Sequence, residues 1–160
     1  MRLIKLALLS FIILFALVTA MSLLIPSNIR ISRAINISRN TDHILYPITN
    51  PDKWPQWHPA FQLQNAAALL KEHKISIRPV LKTDSLVTVN WEQAGKIPVV
   101  NGWQVHRFAT TDSVTLQWFM DFRLKWYPWQ KFRSLFYEKT YGTMMERGLQ
   151  NIKTIVQEEK

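Results

Sequence analysis

The side chains best suited to proton transfer in this sequence are its histidines. His58 is the strongest candidate acid or base, because Asp52 precedes it on a tryptophan-rich segment and a nearby carboxylate can orient an imidazole. The simpler and favoured interpretation is that Trp54, Trp57 and Pro59 pack the loop while His58 is solvated. The wide spacing of the four histidines does not match a set of metal ligands, so we expect no metal and no cofactor. The four are His43, His58, His73 and His106.

Motifs of the common enzyme classes are absent from the sequence. The chain has no cysteine, which excludes thiolate catalysis, disulfide bonds and cysteine metal sites. It also has no GxSxG elbow, no HExxH pair, no phosphate-binding glycine loop and no dinucleotide fingerprint. Whether the chain is an enzyme therefore stays open at this point, and no catalytic residue is assigned.

A set of large aromatic and sulfur-containing side chains is the better candidate for a binding site. Ligand cavities combine aromatic walls with a few polar groups, and methionine suits an adaptable wall. The same residue types also fill ordinary protein cores, which is the competing interpretation. The predicted ligand-binding residues are Trp91, Trp103, His106, Trp118, Met120 and Phe122 on strands, and Tyr141 and Met145 on a helix.

The last strand and the last helix must position these residues. Every even-numbered residue in 114–126 is large and apolar, which is the period of an amphipathic strand. Apolar residues then repeat at helical spacing to the end of the chain, and Gly148 would let that helix approach the sheet closely. The repeating helix residues are Tyr141, Met145, Leu149, Ile152 and Val156.

The rest of the chain predicts an antiparallel sheet with small helices near its start. An alternating segment at 29–37 predicts a first strand, and short helices are expected over 42–46 and 52–59. Residues 64–73 fit either a short helix or an irregular strand. Further strands are predicted over 74–82, 85–93, 98–108 and 113–126, and their short connections indicate a meander.

The N-terminal segment predicts a membrane anchor. An uncharged stretch over 6–25 follows Arg2 and Lys5 and stops at Pro26; twenty helical residues span about 30 Å, the thickness of the bilayer interior. A cleaved signal peptide with small residues at 18–20 is the alternative, and the length of the stretch favours the anchor. We expect an anchor over 1–27 and one globular domain over 28–160, in a single-pass protein with the domain outside the cytoplasm.

Charge and aromatic residues bear on possible partners. The formal net charge is +9, but the basic residues are scattered without a run of four, so we expect no nucleic acid partner. Around Pro128, the rings of Trp126, Tyr127 and Trp129 either rest on lipid headgroups or pack as a corner between strand and helix, and the second interpretation is favoured. No protein partner is assigned.

The order of these elements resembles the START-like superfamily, also called Bet v 1-like or SRPBCC, in its polyketide cyclase/dehydrase-like branch. The resemblance covers about residues 29–158. It rests on the early strand and cap at 31–41, the tryptophan pair at 54–57 and the closing helix at 146–153. Two features depart from the family pattern: residues 62–96 show little of the glycine-rich pattern of that branch, and many members lack a membrane anchor.

The resemblance implies an α+β helix-grip fold, in which a curved antiparallel sheet wraps around a long C-terminal helix and leaves an apolar cavity. Family members bind lipids, sterols, polyketides or other hydrophobic molecules, and a minority are enzymes. The expected function is therefore binding of a hydrophobic small molecule or lipid at the membrane. The alternatives are a cyclase or dehydratase acting on a hydrophobic substrate, and a non-catalytic structural or interaction module.

Overall fold

The described part of the chain contains twelve helices, turns and strands. The structure is a computed structural model that describes residues 2–38, 44–63, 66–108 and 113–158. The helices are α1 (Arg2–Leu23), α2 (Tyr46–Thr49), α3 (Trp54–Trp57), α4 (Ala66–Glu72), α5 (Pro128–Ser134) and α6 (Tyr137–Glu158), with a 3-10 turn over Pro51–Lys53. The strands are β1 (Asn28–Ile37), β2 (Ile75–Lys82), β3 (Leu86–Gln93), β4 (Val99–Arg107) and β5 (Val114–Arg123).

The strands form one antiparallel sheet in the order β1-β5-β4-β3-β2. Strands β2 to β5 follow one another as the predicted meander, and β1 pairs with β5 so that Ile31 lies opposite Met120. Because side chains alternate along a strand, each strand presents one row to each face of the sheet. On β5 the even-numbered residues from Val114 to Phe122 are buried on one face, called here the inner face.

Helix α6 covers the inner face and completes the hydrophobic core. Of the residues predicted from helical spacing, Tyr141 is half-buried and the other four are buried, with Met145, Leu149 and Ile152 almost inaccessible to solvent. A curved sheet closed by a long C-terminal helix is the helix-grip arrangement, so the predicted α+β fold class is confirmed. The N-terminal apolar helix that was expected before the first strand is also present as α1.

Gly148 brings α6 and the sheet into close contact, as predicted. A Cβ atom at this position would lie 2.6 Å from a ring carbon of Trp118 and 3.3 Å from Cδ of Pro59. Real Cβ atoms do not approach that closely, so only glycine allows the helix to lie directly against the Trp118 indole. The indole of Trp118 is itself fully buried.

Two features differ from the sequence-based expectations. Strand β5 ends at Arg123 rather than at Trp126: the backbone N–H of Leu124 still donates to Ser27 O in register with β1, but that of Lys125 donates to the side chain of Gln130 in α5. Residues 128–134 form the separate helix α5, which was not predicted. Residues 66–72 are helical, which decides the open choice there, while most of the helix expected over 42–46 lies outside the described residues.

Helix α1 is long and apolar enough to cross a membrane, and nearly all of its side chains are exposed. Its end is attached to the domain by Lys131 of α5, whose buried Nζ donates to Ile25 O at 2.5 Å and to Ser27 Oγ at 2.7 Å. The four residues between α1 and β1 are therefore held against α5. The exit of the apolar helix is fixed relative to the sheet.

Candidate ligand cleft

An apolar cleft lies between the inner face of the sheet and the first half of α6. Its volume is about 230 Å³, and apolar atoms dominate its wall. We call it the inner cleft. Its lining residues are Ile75, Trp91, Glu92, Gln93, Lys96, Ile97, Val99, Met120, Phe122, Tyr141 and Met144.

A more polar groove of about 390 Å³ lies beside the inner cleft and reaches α5; it is called here the outer groove. The two spaces are neighbours, because six residues line both of them. The outer groove is also lined by Lys125, Trp129, Arg133 and Tyr137. The shared residues are Gln93, Lys96, Ile97, Val99, Phe122 and Tyr141.

Half of the predicted lining residues face the inner cleft. These four are Trp91, Met120, Phe122 and Tyr141. Trp103, Trp118 and Met145 are fully buried in the core behind the cleft. His106 lies on the outer face, where its Nε2 is 3.0 Å from Oε1 of Gln117, and so does not line the cleft.

Sequence reasoning missed the aliphatic and polar part of the wall. Val99 lies on the same face of β4 as Trp103, so strand alternation could have identified it. Met144 follows Tyr141 by three residues on α6, which places both on one side of a helix. Lys96 and Ile97 lie in the connection between β3 and β4, where no periodic signal exists.

His58 lies in an aromatic cluster at the inner end of the cleft. Its ring stacks between Trp54, at a centroid distance of 5.8 Å, and Trp91, at 5.3 Å. Burial lowers the pKa of His58 to about 3, so its imidazole is neutral at physiological pH. The Ala60 backbone N–H donates to Nδ1 at 3.2 Å, which leaves the proton of the neutral ring on Nε2.

The acid–base pair considered from the sequence is not assembled. Asp52 is exposed, and its backbone N–H donates to Asn50 Oδ1 at the start of the 3-10 turn. His58 is buried rather than solvated, His73 is exposed, and His43 lies outside the described residues. Within the parts of the chain that the structure describes, no three His, Asp or Glu side chains are grouped as metal ligands.

Four buried nitrogen atoms near this cluster have no hydrogen-bond acceptor among the described residues. They are Nε2 of His58, Nε1 of Trp91, Nε1 of Trp103 and Nδ2 of Asn101. By contrast, Trp54 and Trp57 donate to the backbone oxygens of Ile48 and Pro47. Most buried polar groups in proteins are satisfied. Of these four nitrogen atoms, only Nε1 of Trp91 belongs to a residue that lines the inner cleft, so its N–H is the one placed beside a bound molecule.

A wider depression of about 520 Å³ lies on the outer face of the sheet. Its wall includes the guanidinium of Arg30, which forms a two-pronged ion pair with Asp121 at 2.6 and 2.7 Å. This depression is shallow and charged, so it does not suit a hydrophobic ligand. The inner cleft is the better candidate although it is smaller.

No protein-family model matches the chain, and no curated protein matches it. Solved structures do. A START superfamily protein from Mycobacterium smegmatis has a TM-score of 0.54 at 12% identity, over 82% of this chain and 99% of that one. The di-domain ARO/CYC protein StfQ from the steffimycin biosynthetic pathway has a TM-score of 0.58 at 9% identity, over 82% of this chain and 51% of that one.

A third similar structure is XoxI from Bacillus cereus, with a TM-score of 0.53 at 10% identity over 81% of this chain and 96% of that one. In each case the matched part is large enough to hold the sheet and the closing helix. Identities this low establish the fold and nothing finer. The chain therefore shares the helix-grip fold of START-like proteins.

Proposed function

We propose that this protein is a membrane-anchored START-like domain that binds a hydrophobic small molecule or lipid in the inner cleft. The observation that carries the proposal is the apolar cleft between sheet and helix, with the outer groove beside it. The similar structures support the proposal through their shared fold, and α1 supports the anchor through its length and composition.

The unsatisfied indole N–H of Trp91, which lines the inner cleft, favours a ligand that carries an oxygen acceptor. The inner cleft is smaller than the 300–1,000 Å³ that ligand pockets usually enclose, which suits one chain or ring system inside and the rest of the molecule in the outer groove. An amphiphile with an apolar body and a carbonyl or ester oxygen fits both features. Donors left without acceptors in a buried site disfavour a pure hydrocarbon.

A cyclase- or dehydratase-type enzyme is the second candidate, and the buried imidazole of His58 is the observation that favours it. A neutral histidine with an unbonded Nε2–H can donate to a carbonyl, and the His58 ring lies against Trp91 of the cleft wall, but it does not itself line the cleft. No carboxylate among the described residues bonds to His58, so the arrangement supports binding more than proton abstraction. Turnover of a bound ligand that is lost in His58→Gln would favour the enzyme.

The proposal is tested by blocking the cleft with one added indole. Val99 lines the inner cleft, whereas its neighbour Val100 faces the opposite side of the same strand. In native mass spectrometry of the full chain extracted in detergent, we expect a bound small molecule in the wild type and in Val100→Trp. We expect that molecule to be lost in Val99→Trp.

The matched pair controls for the cost of inserting a large ring into β4. Equal occupancy in the two variants would show that the ligand binds elsewhere. An empty wild-type protein with a folded spectrum would favour the structural module instead. Circular dichroism of both variants confirms that the comparison is made between folded proteins.

A further inference from the structure

We propose that an exposed corner of the domain docks on the headgroup region of an anionic bilayer and holds the mouth of the cleft at the membrane. The ligand would then be a membrane lipid that enters from the bilayer, an inference that rests on the proposed binding function. The corner connects β5 to α6 and is called here the aromatic corner. It consists of Trp126, Tyr127, Trp129, Leu135 and Phe136.

The aromatic corner exposes large apolar side chains where a soluble domain would bury them. Trp126 and Trp129 are each 60% exposed, Leu135 is 62% exposed and Phe136 is 68% exposed. The three neighbouring rings are preorganised, because Tyr127 stacks on Trp129 at 4.8 Å and contacts Trp126 at 5.0 Å. Indole and phenol rings favour the membrane interface, and contiguous exposed apolar groups mark binding surfaces.

Helix α5 buries two polar side chains and leaves Trp129 exposed. Its buried positions are Pro128, Lys131 and Ser134, and the charge of Lys131 is used on the chain that leaves α1. The solvent side of the same short helix carries the ring of Trp129 and the charge of Arg133. Aromatic rings beside basic side chains are a combination that suits the membrane interface.

The sheet topology places this corner next to the end of the anchor. Strand β1 begins at Asn28, only four residues after α1 ends at Leu23, and Asn28 lies opposite Arg123 at the end of β5. Four residues reach at most about 14 Å. The bonds from Lys131 to Ile25 and Ser27 then fix α5 beside that linker. The aromatic corner therefore lies where α1 would leave the bilayer.

The mouth of the cleft lies at the same end of the molecule. Trp129 of the aromatic corner is part of the wall of the outer groove, together with Lys125 and Arg133. On the opposite side of the groove, the β3–β4 connection contributes Lys96 and Ile97. A corner that rests on headgroups would thus bring the open end of the groove to the lipid.

The charge around the mouth matches an anionic surface. Lys96, Arg123, Lys125 and Arg133 are exposed there. The nearby carboxylates of Asp121 and Glu138 are already in ion pairs with Arg30 and Arg33, so they do not neutralise this rim. Basic residues close to an anionic leaflet are attracted to it. A bilayer that contains phosphatidylglycerol is therefore a better partner than a neutral one.

The lack of cysteine in the chain makes a direct test simple, because a nitroxide label can be placed at one chosen residue. We would label Trp129→Cys and Phe136→Cys in full-length protein held in nanodiscs of phosphatidylcholine and phosphatidylglycerol. The matched control is Phe108→Cys, an aromatic position that is 55% exposed just after β4 ends at Arg107. Strand β4 spans roughly 25 Å, so the control lies far from the corner.

At positions 129 and 136 we expect severalfold more collisions with dissolved oxygen, relative to a water-soluble nickel chelate, than at position 108. The ratio should fall in nanodiscs of phosphatidylcholine alone. The docking proposal is overturned if all three labels report water, or if labels at 129 and 136 are shielded from both reagents, which would indicate a protein contact. Bound ligand in mass spectrometry combined with water-exposed labels would remove the docking and leave the proposed function intact.

Discussion

At the scale of single residues, His58 is the side chain whose properties depend most on its surroundings. Its ring is enclosed by Trp54, Trp57, Trp91 and Trp118, at centroid distances between 5.1 and 5.8 Å. None of these neighbours is charged, so desolvation dominates and the pKa falls from 6.5 to about 3. The consequence is a dependence of stability on pH that has a definite direction.

The unfolded chain binds a proton at His58 near pH 6.5, whereas the folded protein keeps this ring neutral until about pH 3. The free energy of unfolding should therefore fall as the pH drops through this window, by about 2 kcal/mol between pH 7 and pH 5. Urea denaturation of the full chain in detergent, followed by tryptophan fluorescence, measures the slope. His58→Asn keeps an acceptor for the Ala60 N–H and should remove this contribution.

The matched control is His106→Asn on the outer face, which should leave the His58 contribution in place. An identical pH slope in wild type and His58→Asn would contradict the burial of a neutral imidazole. The comparison uses the slope of the free energy of unfolding against pH. A lower absolute stability caused by the smaller side chain at position 58 therefore does not affect it.

The residues of the site were predictable from the sequence where the strand or helix period determines which face a residue lies on. On β5, Met120 and Phe122 follow the even-numbered register and do face the cleft. On β4, Trp103 and His106 differ in parity, so alternation alone places them on opposite faces and His106 could have been set aside. Strand alternation does not predict how deep a residue lies. Trp103 shares a face with Val99, yet only Val99 lines the cleft, because the tryptophans of α3 pack over Trp103.

At the scale of elements, the contact of α6 with the sheet depends on two buried glycines that face different neighbours. A Cβ at Gly148 would meet the rigid, enclosed ring of Trp118 at 2.6 Å. A Cβ at Gly142 would meet only the guanidinium end of Arg33, at 2.5 Å, which a flexible side chain can move. The same substitution should therefore have opposite effects at the two positions.

Gly148→Ala should lower stability by about 1 kcal/mol, because overpacking a rigid core costs about 1–3 kcal/mol and exceeds the helix-propensity gain of about 1 kcal/mol. Gly142→Ala should be neutral or stabilising by up to about 1 kcal/mol, since moving Arg33 disturbs only exposed ion pairs. Denaturation midpoints in urea measure both. Equal losses at the two glycines would contradict the close approach of α6 to Trp118.

The elements themselves were largely predictable, and their ends less so. Alternation and helical spacing are local properties, which is why five strands and a terminal helix could be read from the sequence. The end of β5 depends instead on where its partner β1 begins, at Asn28, and on the bond from the Lys125 N–H to Gln130 Oε1 of α5. The apolar parity of Trp126 continues the pattern beyond the point where the pairing with β1 stops.

At the scale of the whole molecule, the domain and α1 meet at the same end as the outer groove. Lipid at that end and a ligand in the cleft must therefore be told apart when loss of the ligand is measured. A ligand that binds only the folded protein stabilises it by mass action, by about 2.7 kcal/mol at a hundred times its Kd. In a domain of this size each kcal/mol shifts Tm by about 4 °C. Lipid bound to α1 or to the aromatic corner should stabilise those parts of the molecule instead of the sheet.

Stripping the bound molecule from the full chain in one detergent should therefore lower Tm by several degrees, and adding back a lipid extract of the expressing cells should restore it. Val99→Trp should show neither change, because its cleft is filled by the indole, while Val100→Trp should behave like the wild type. All three proteins carry the same α1 and the same aromatic corner, so lipid acting there would raise their Tm equally. A rise in Val99→Trp as large as in the wild type would thus move the bound lipid out of the cleft, and only a difference between the two tryptophan variants assigns it to the space between β4 and α6.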